Sequence, residues 1–273
     1  MTDQTPLLAD ALPPQEIARR VATVGVAKAR GNALTLALLA VLAGAFIALG
    51  ALFFTVVITG PSLGFGITRF FGGLSFSMGL VLVVVAGAEL FTGNNLLAMA
   101  WASGLIGMRE VARNWVISYA GNAVGALGTV LLVVWGNIGA LGGGAVGDTA
   151  VQIARTKVEL TLAEAFARGI LCNALVCLAV WLTLGGRSVT DKVLGIVFPI
   201  AAFVTVGFEH SIANWFFLPF GLAQDTSGAV SLIGAARNLI AVTAGNIVGG
   251  TVLVAGVYWL AYLRGDRPEG TRR

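Results

Sequence analysis

Histidine is almost missing from this chain: one residue, His210, in 273. A zinc or haem site draws on several ligating side chains, and a single imidazole with no ligand cluster around it supplies neither. Cysteine is nearly as scarce. Cys172 and Cys177 share one apolar segment, but their spacing does not place them on one helical face. They read as small buried hydrophobes, neither a disulfide nor a metal site. Charged residues make up only 11% of the chain. The net charge of +4 falls mostly in loops that obey membrane topology rules, so no nucleic-acid partner is implied. No nucleophile elbow and no phosphate-binding loop occurs. The expectation is a protein that is not an enzyme and carries no cofactor or metal.

What remains is apolar. The chain is 57% hydrophobic, with a mean hydropathy of +0.90, the composition of a polytopic helical membrane protein among lipids. Thirty-seven glycines suit membrane helices, in which small residues let backbones approach. No cleavable signal opens the chain. Pro13 and Pro14 read as a helix start, and Ile17, Val21 and Val24 recur at helical spacing. The segment is either a short amphipathic helix at the cytoplasmic surface or a disordered tail.

Long apolar runs cover roughly 33–58, 72–106, 114–135, 162–184, 193–222 and 238–262, and a span needs about 20 residues. The second and fifth runs are longer than one crossing requires and are interrupted, at Gly87-Ala-Glu89 through Asn95 and at Gly207-Phe-Glu209-His210 through Asn214. Irregular backbone at membrane depth is tolerated only where protein or a cavity surrounds it. The organisation expected is a cytoplasmic segment over 1–32, a six-helix domain over 33–262 and a cytoplasmic tail over 263–273. Most of the seventeen basic residues fall on one side of these spans, including Arg19, Arg20, Lys28, Arg109, Arg113, Arg187 and Arg264. The positive-inside rule then puts both termini in the cytoplasm.

The halves repeat. Arg113-Asn-Trp-Val-Ile-Ser-Tyr-Ala-Gly-Asn-Ala-Val-Gly-Ala126 aligns without gaps to Arg237-Asn-Leu-Ile-Ala-Val-Thr-Ala-Gly-Asn-Ile-Val-Gly-Gly250, with seven of fourteen positions identical. Glu89 and Glu209 match as well, each two residues after a glycine. Three spans per half is an odd number, so the halves sit inverted in the membrane. Inverted repeats with breaks in matching places point to a central transport site. Aquaporins share that plan but carry Asn-Pro-Ala at both breaks, and neither break here contains proline. A neutral-solute channel of that type and a non-transporting scaffold remain as alternatives.

An ionisable side chain at the centre of a span costs about 2.5–3.5 kcal/mol on insertion scales and marks a permeation path or proton relay. His210 is the leading candidate, because imidazole ordinarily titrates near neutral pH. It either donates to an entering weak-acid anion or attracts it by charge. The Thr92 hydroxyl can donate to an anion or to the imidazole. Asn173 and Asn246 sit in apolar spans, where a buried amide must find partners. Asn122 is the repeat mate of Asn246 and reads as structural. A carboxylate lining an anion path would repel its substrate. Glu89 and Glu209 are therefore expected to accept from N–H groups of the helix breaks, away from the pore axis.

Gly87-Ala-Glu-Leu-Phe-Thr-Gly93, Gly121-Asn122 with Gly125, Leu171-Cys-Asn173 through Trp181, Gly207-Phe-Glu-His-Ser-Ile-Ala-Asn214 and Gly245-Asn246-Ile-Val-Gly-Gly250 together resemble the formate/nitrite transporter family. The resemblance runs from about residue 13 to residue 262. Trp215 departs from the family pattern, which has Met after Ala-Asn. The resemblance implies an aquaporin-like protomer of six helices in a homopentamer of the inner membrane, one pore per subunit. It also implies passage of small monovalent anions, formate before nitrite or hydrosulfide, by proton symport or pH gating. It makes His210 the central pore histidine and Thr92 the residue facing it. Asn173 and Asn246 fall near the pore, and Lys157 near its periplasmic half unless it is an ordinary loop charge. Phe76 and Phe203 would narrow the periplasmic side, Leu80 and Leu90 the cytoplasmic side, with Phe91 less clearly placed. It further suggests that the N-terminal helix plugs the pore at low pH.

Overall fold

The computed structural model describes residues 11–60 and 63–266. The rest, including the end of the expected C-terminal tail, lies outside the described residues. Among the described residues all regular structure is helical. Six helices are long and apolar enough to cross a membrane: Ala33–Val57, Phe65–Gly87, Met108–Trp135, Leu162–Gly185, Val189–Val206 and Leu232–Tyr262.

The chain opens with α1 (Pro14–Arg30), which has proline in its first turn, Glu16 near its start and Lys28 and Arg30 near its end. That charge order complements the helix dipole. α1 buries Ile17, Ala18, Val21 and Ala22 in a cluster with Met99 and Trp181. α2 (Ala33–Val57) starts at Asn32, whose side chain accepts from the Leu34 and Thr35 N–H groups. α3 (Phe65–Val81) runs into a π turn over Leu82–Gly87. After an extended stretch the crossing finishes in a 3-10 turn and the short α4 (Leu97–Ala102). α5 (Met108–Trp135) closes the first half.

The second half repeats this order. α6 (Ala145–Val158) is an amphipathic helix and α7 (Leu162–Gly185) a span capped by Thr161 and Glu164. α8 (Val189–Val206) ends at Gly207, in the left-handed region, and α9 (Ser211–Gln224) completes that crossing. α10 (Leu232–Val248) continues through a π segment, Gly249–Gly256, into α11 (Val257–Tyr262).

Several spans begin earlier than hydropathy places them, because Arg69, Arg109 and Arg237 lie inside helices and not before them. Long cationic side chains near helix ends reach the interface and leave their stems in the apolar layer. Lys157 likewise belongs to α6 and is not a loop charge.

Contacts between spans match across the halves. A Cβ on Gly125 would strike the Val41 carbonyl of α2, and one on Gly249 the Ile170 carbonyl of α7. These glycines are repeat equivalents, and each lets two spans touch backbone to backbone. Outward faces stay apolar, with Leu38, Leu131, Trp135, Phe198 and Ile240 exposed. That surface suits lipid or neighbouring subunits and would be costly in water.

Candidate functional site

Each break is held by one buried asparagine. Asn122 accepts from the Phe91 N–H at 2.8 Å and donates to the Ala40 and Glu89 carbonyls at 2.7 and 2.9 Å. Asn246 accepts from the Ser211 N–H at 2.9 Å and donates to the Gly169 and Glu209 carbonyls at 2.8 and 2.9 Å. Backbone freed by a broken helix must be satisfied inside the membrane, and each amide does so with all its main capacity. Asn246 thus braces the second break as Asn122 braces the first. It reaches the centre through the main chain beside His210.

Each glutamate accepts from an N–H of its own break, as expected, but that donor is a side-chain amide joined by a lysine from a separate helix, and both glutamates line a cavity, which corrects the expectation that they lie away from the path. Glu89 accepts from Lys28 Nζ and Asn94 Nδ2, both at 2.9 Å, and Asn94 also donates to Asn114 Oδ1. Glu209 accepts from Lys157 Nζ at 2.8 Å and Asn214 Nδ2 at 2.7 Å, and Asn214 donates to Asn238 Oδ1. Asn114 and Asn238 close each network by donating to the Lys28 and Lys157 carbonyls. A lysine beside each carboxylate cancels the repulsion that an anion would meet. Removing one partner of a buried pair typically costs about 3–5 kcal/mol.

Two cavities flank the centre and share no lining residue. One, of about 330 Å³, is lined by Lys157, Glu209, His210, Phe76 and Phe203 among others. The other, of about 350 Å³, is lined by Lys28, Glu89, Leu80 and Leu90 among others. Both touch α7, at Arg168 and at Val180, about 18 Å apart along the helix at 1.5 Å per residue. They therefore open toward opposite ends of the bundle. On the Lys157 side the Phe76 and Phe203 rings meet edge to face at 5.7 Å. On the Lys28 side Leu80 and Leu90, both buried, close the floor.

Between them lie His210 and Thr92, with Nε2 and Oγ1 2.9 Å apart. His210 caps α9, its Nδ1 accepting from the Ala213 N–H at 3.1 Å. An acceptor Nδ1 assigns the ring proton to Nε2. Nε2–H then donates to Thr92 Oγ1, and the threonine hydroxyl proton is left to donate elsewhere. Phe203 stacks on the imidazole at 6.0 Å. Asn173 donates to the Thr92 carbonyl at 3.2 Å and the Asn246 carbonyl at 2.7 Å, so it positions the backbone around Thr92. Phe91 packs edge to face on Tyr119 at 4.9 Å and lines neither cavity. Cys172 and Cys177 are free and buried.

Sequence reasoning missed Lys28, Asn94, Asn214, Asn114 and Asn238. A signal existed: asparagine follows each break glutamate by five positions, and Arg-Asn recurs at 113–114 and 237–238.

A model of the formate/nitrite transporter family matches residues 15–260. The chain is 41% identical to the formate channel FocA of Escherichia coli strain K12, over 93% of this chain and 96% of that protein. A solved structure described as a pentameric formate channel with formate bound superimposes with a TM-score of 0.79 at 41% identity, covering 85% of this chain and 98% of the other. One described as an FNT family ion channel gives 0.82 at 29% identity, covering 90% and 98%. Six spans, two broken crossings meeting at Thr92 and His210 and a family match over nearly the whole length lead to one assignment: this multi-pass membrane protein belongs to the formate/nitrite transporter family.

Proposed function

We propose that the chain carries small monovalent weak-acid anions, formate before nitrite or hydrosulfide, through a pore in each protomer of a homopentamer. The observation that carries this reading is the Thr92–His210 donor pair, set between two apolar constrictions, one of which lines a cationic cavity. The relatives described as formate channels support formate as the first choice. Both termini are placed in the cytoplasm of an inner-membrane protein, so Lys28 faces inward and Lys157 outward. Residues 33–262 form the transporting unit, with α1 packed under its cytoplasmic cavity.

An anion bare of water in a low-dielectric constriction costs on the order of tens of kcal/mol, and a neutral acid far less. The cationic cavity at Lys157 draws the anion in, and the Phe76 and Phe203 rings strip its water. The Thr92 hydroxyl, backed by His210 Nε2–H, donates to the carboxylate as it takes a proton from the vestibule. The neutral acid then passes Leu80 and Leu90 and ionises beyond them. Because Nδ1 is held by the Ala213 N–H, His210 acts as a neutral hydrogen-bond donor. Asn173 and Asn246 hold the pair in place, and Glu89 and Glu209 anchor the two lysines.

Uptake of labelled formate into proteoliposomes, with nitrite and hydrosulfide as competitors, tests the substrate order. Competition by both with formate fastest supports it. Flux of nitrite or hydrosulfide without formate overturns the choice of substrate, and flux of glycerol independent of pH overturns the anion reading itself.

A further inference from the structure

The halves match in their hydrogen bonds but not in their charge. Leu39 and Arg168 are equivalent positions: the Glu89 N–H donates to the Leu39 carbonyl at 3.1 Å, and the Glu209 N–H to the Arg168 carbonyl at 3.3 Å. Both pairs, Leu39 with Arg168 and Lys28 with Lys157, are separated by 129 positions. The backbone does the same work in each half, yet one cavity receives an isobutyl group and the other a guanidinium. Leu39 lines the Lys28 cavity and Arg168 the Lys157 cavity.

The charge count follows. The Lys28 cavity is lined by one cation and one carboxylate, Lys28 and Glu89, ion-paired at 2.9 Å. The Lys157 cavity is lined by Arg69, Lys157 and Arg168 against Glu209 alone. Lys157 is spent on Glu209 at 2.8 Å. Arg69 is spent as a brace, its Nε and Nη2 donating to the Thr205 and Val204 carbonyls at 3.1 and 2.7 Å, the end of α8. The Arg168 guanidinium makes no hydrogen bond or ion pair among the described residues, and it is half-buried at the cavity wall. Glu164, one turn earlier on α7, is committed to the Thr161 cap through its Oε2 and does not line the cavity.

We infer that Arg168 is an anion-attracting residue peculiar to the Lys157 side, which makes the transporter electrostatically asymmetric: small anions are gathered more strongly from that face than from the Lys28 face. The inference rests on the anion-transport reading and adds to it a sidedness that the shared repeat would not give. A cleft lined by one sign of charge raises the local concentration of the opposite ion. A guanidinium that makes no hydrogen bond or ion pair among the described residues is available to do so, whereas Lys157 first answers to Glu209. Positioning is inherited from the repeat; the charge is an addition to it.

The test measures initial rates of labelled formate uptake in right-side-out and inverted membrane vesicles across formate concentrations. Wild-type protein is expected to half-saturate at a lower concentration from the Lys157 face. Arg168→Leu should raise that concentration about threefold or more on this face only, an effect that shrinks at high salt, where charges are screened within about 3 Å at 1 M. Arg168→Lys should retain the wild-type value. The mirror variant, Leu39→Arg, should lower the half-saturating concentration on the opposite face, which guards against reading a folding defect as an electrostatic one. Equal values on both faces of the wild type, or an Arg168→Leu variant that keeps the asymmetry, overturns the inference and leaves anion transport standing. Absence of any saturable anion flux in the wild type overturns both.

Discussion

Thr92 and His210, 118 positions apart in the chain, meet at 2.9 Å in the centre of the bundle. Each comes from the break of its own half, and neither has a polar counterpart in the repeat: the residue equivalent to His210 is Leu90, and the one equivalent to Thr92 is Ile212. The inherited frame thus places an apolar seal in one half and a donor pair at the junction of both.

Thr92→Val keeps the shape and removes the hydroxyl. A hydrogen bond to a charged group is worth about 1.5–3 kcal/mol, so formate flux should fall roughly tenfold or more while the protein still assembles. Flux in proteoliposomes and native mass spectrometry check this together. Unchanged flux would exclude the hydroxyl as a donor to substrate.

Asn246→Leu should act on stability first. It strands the Ser211 N–H and the Gly169 and Glu209 carbonyls, at about 1–3 kcal/mol for each group left unsatisfied. Asn122→Leu should cost a similar amount, since it strands the equivalent groups. Thermal unfolding in detergent would show both. A stable Asn246→Leu protein with altered substrate selectivity would instead give this amide a direct part in the pore.

Phe203→Ala should loosen selection. The ring touches both Phe76 and the imidazole, and its loss opens the constriction beside His210. Acetate flux should rise relative to formate, at a stability cost near the lower end of the roughly 3–5 kcal/mol typical of Phe→Ala. An unchanged acetate-to-formate ratio would place the selective step elsewhere.

The spans, the two breaks and the family likeness were legible because they depend on local composition and on residues within one segment. The pairing of Lys28 with Glu89 was not. An amphipathic pattern tells which face of α1 is apolar and not what its cationic end meets. The intervals hide the symmetry too: Lys28 precedes Glu89 by 61 positions and Lys157 precedes Glu209 by 52, because the first half is longer both in the connection after α2 and in the span that leads to its break. Reasoning from anion repulsion sent both glutamates to N–H donors of the breaks alone, away from the path. It overlooked that a lysine from a separate helix neutralises a carboxylate and leaves it at the cavity wall. Asn246 shows the converse: a buried amide in a span suggests a pore ligand, yet its partners are backbone groups of the break.

The most direct test follows formate and protons together in proteoliposomes, with an internal pH dye and an imposed inward proton gradient, for the wild type and for His210→Asn. The account predicts gradient-driven uptake with one proton entering per formate. His210→Asn should lower the rate several-fold, as expected for loss of the Nε2–H donor that backs the neutral Thr92 hydroxyl, a hydrogen bond worth about 0.5–1.5 kcal/mol, yet keep the slope of flux against pH between about 5 and 8, the range in which an ordinary histidine titrates. Uptake that follows membrane potential and ignores the proton gradient would contradict passage as the neutral acid. A His210→Asn variant with a flat pH profile would make His210 itself the titrating group and contradict its role as a neutral donor.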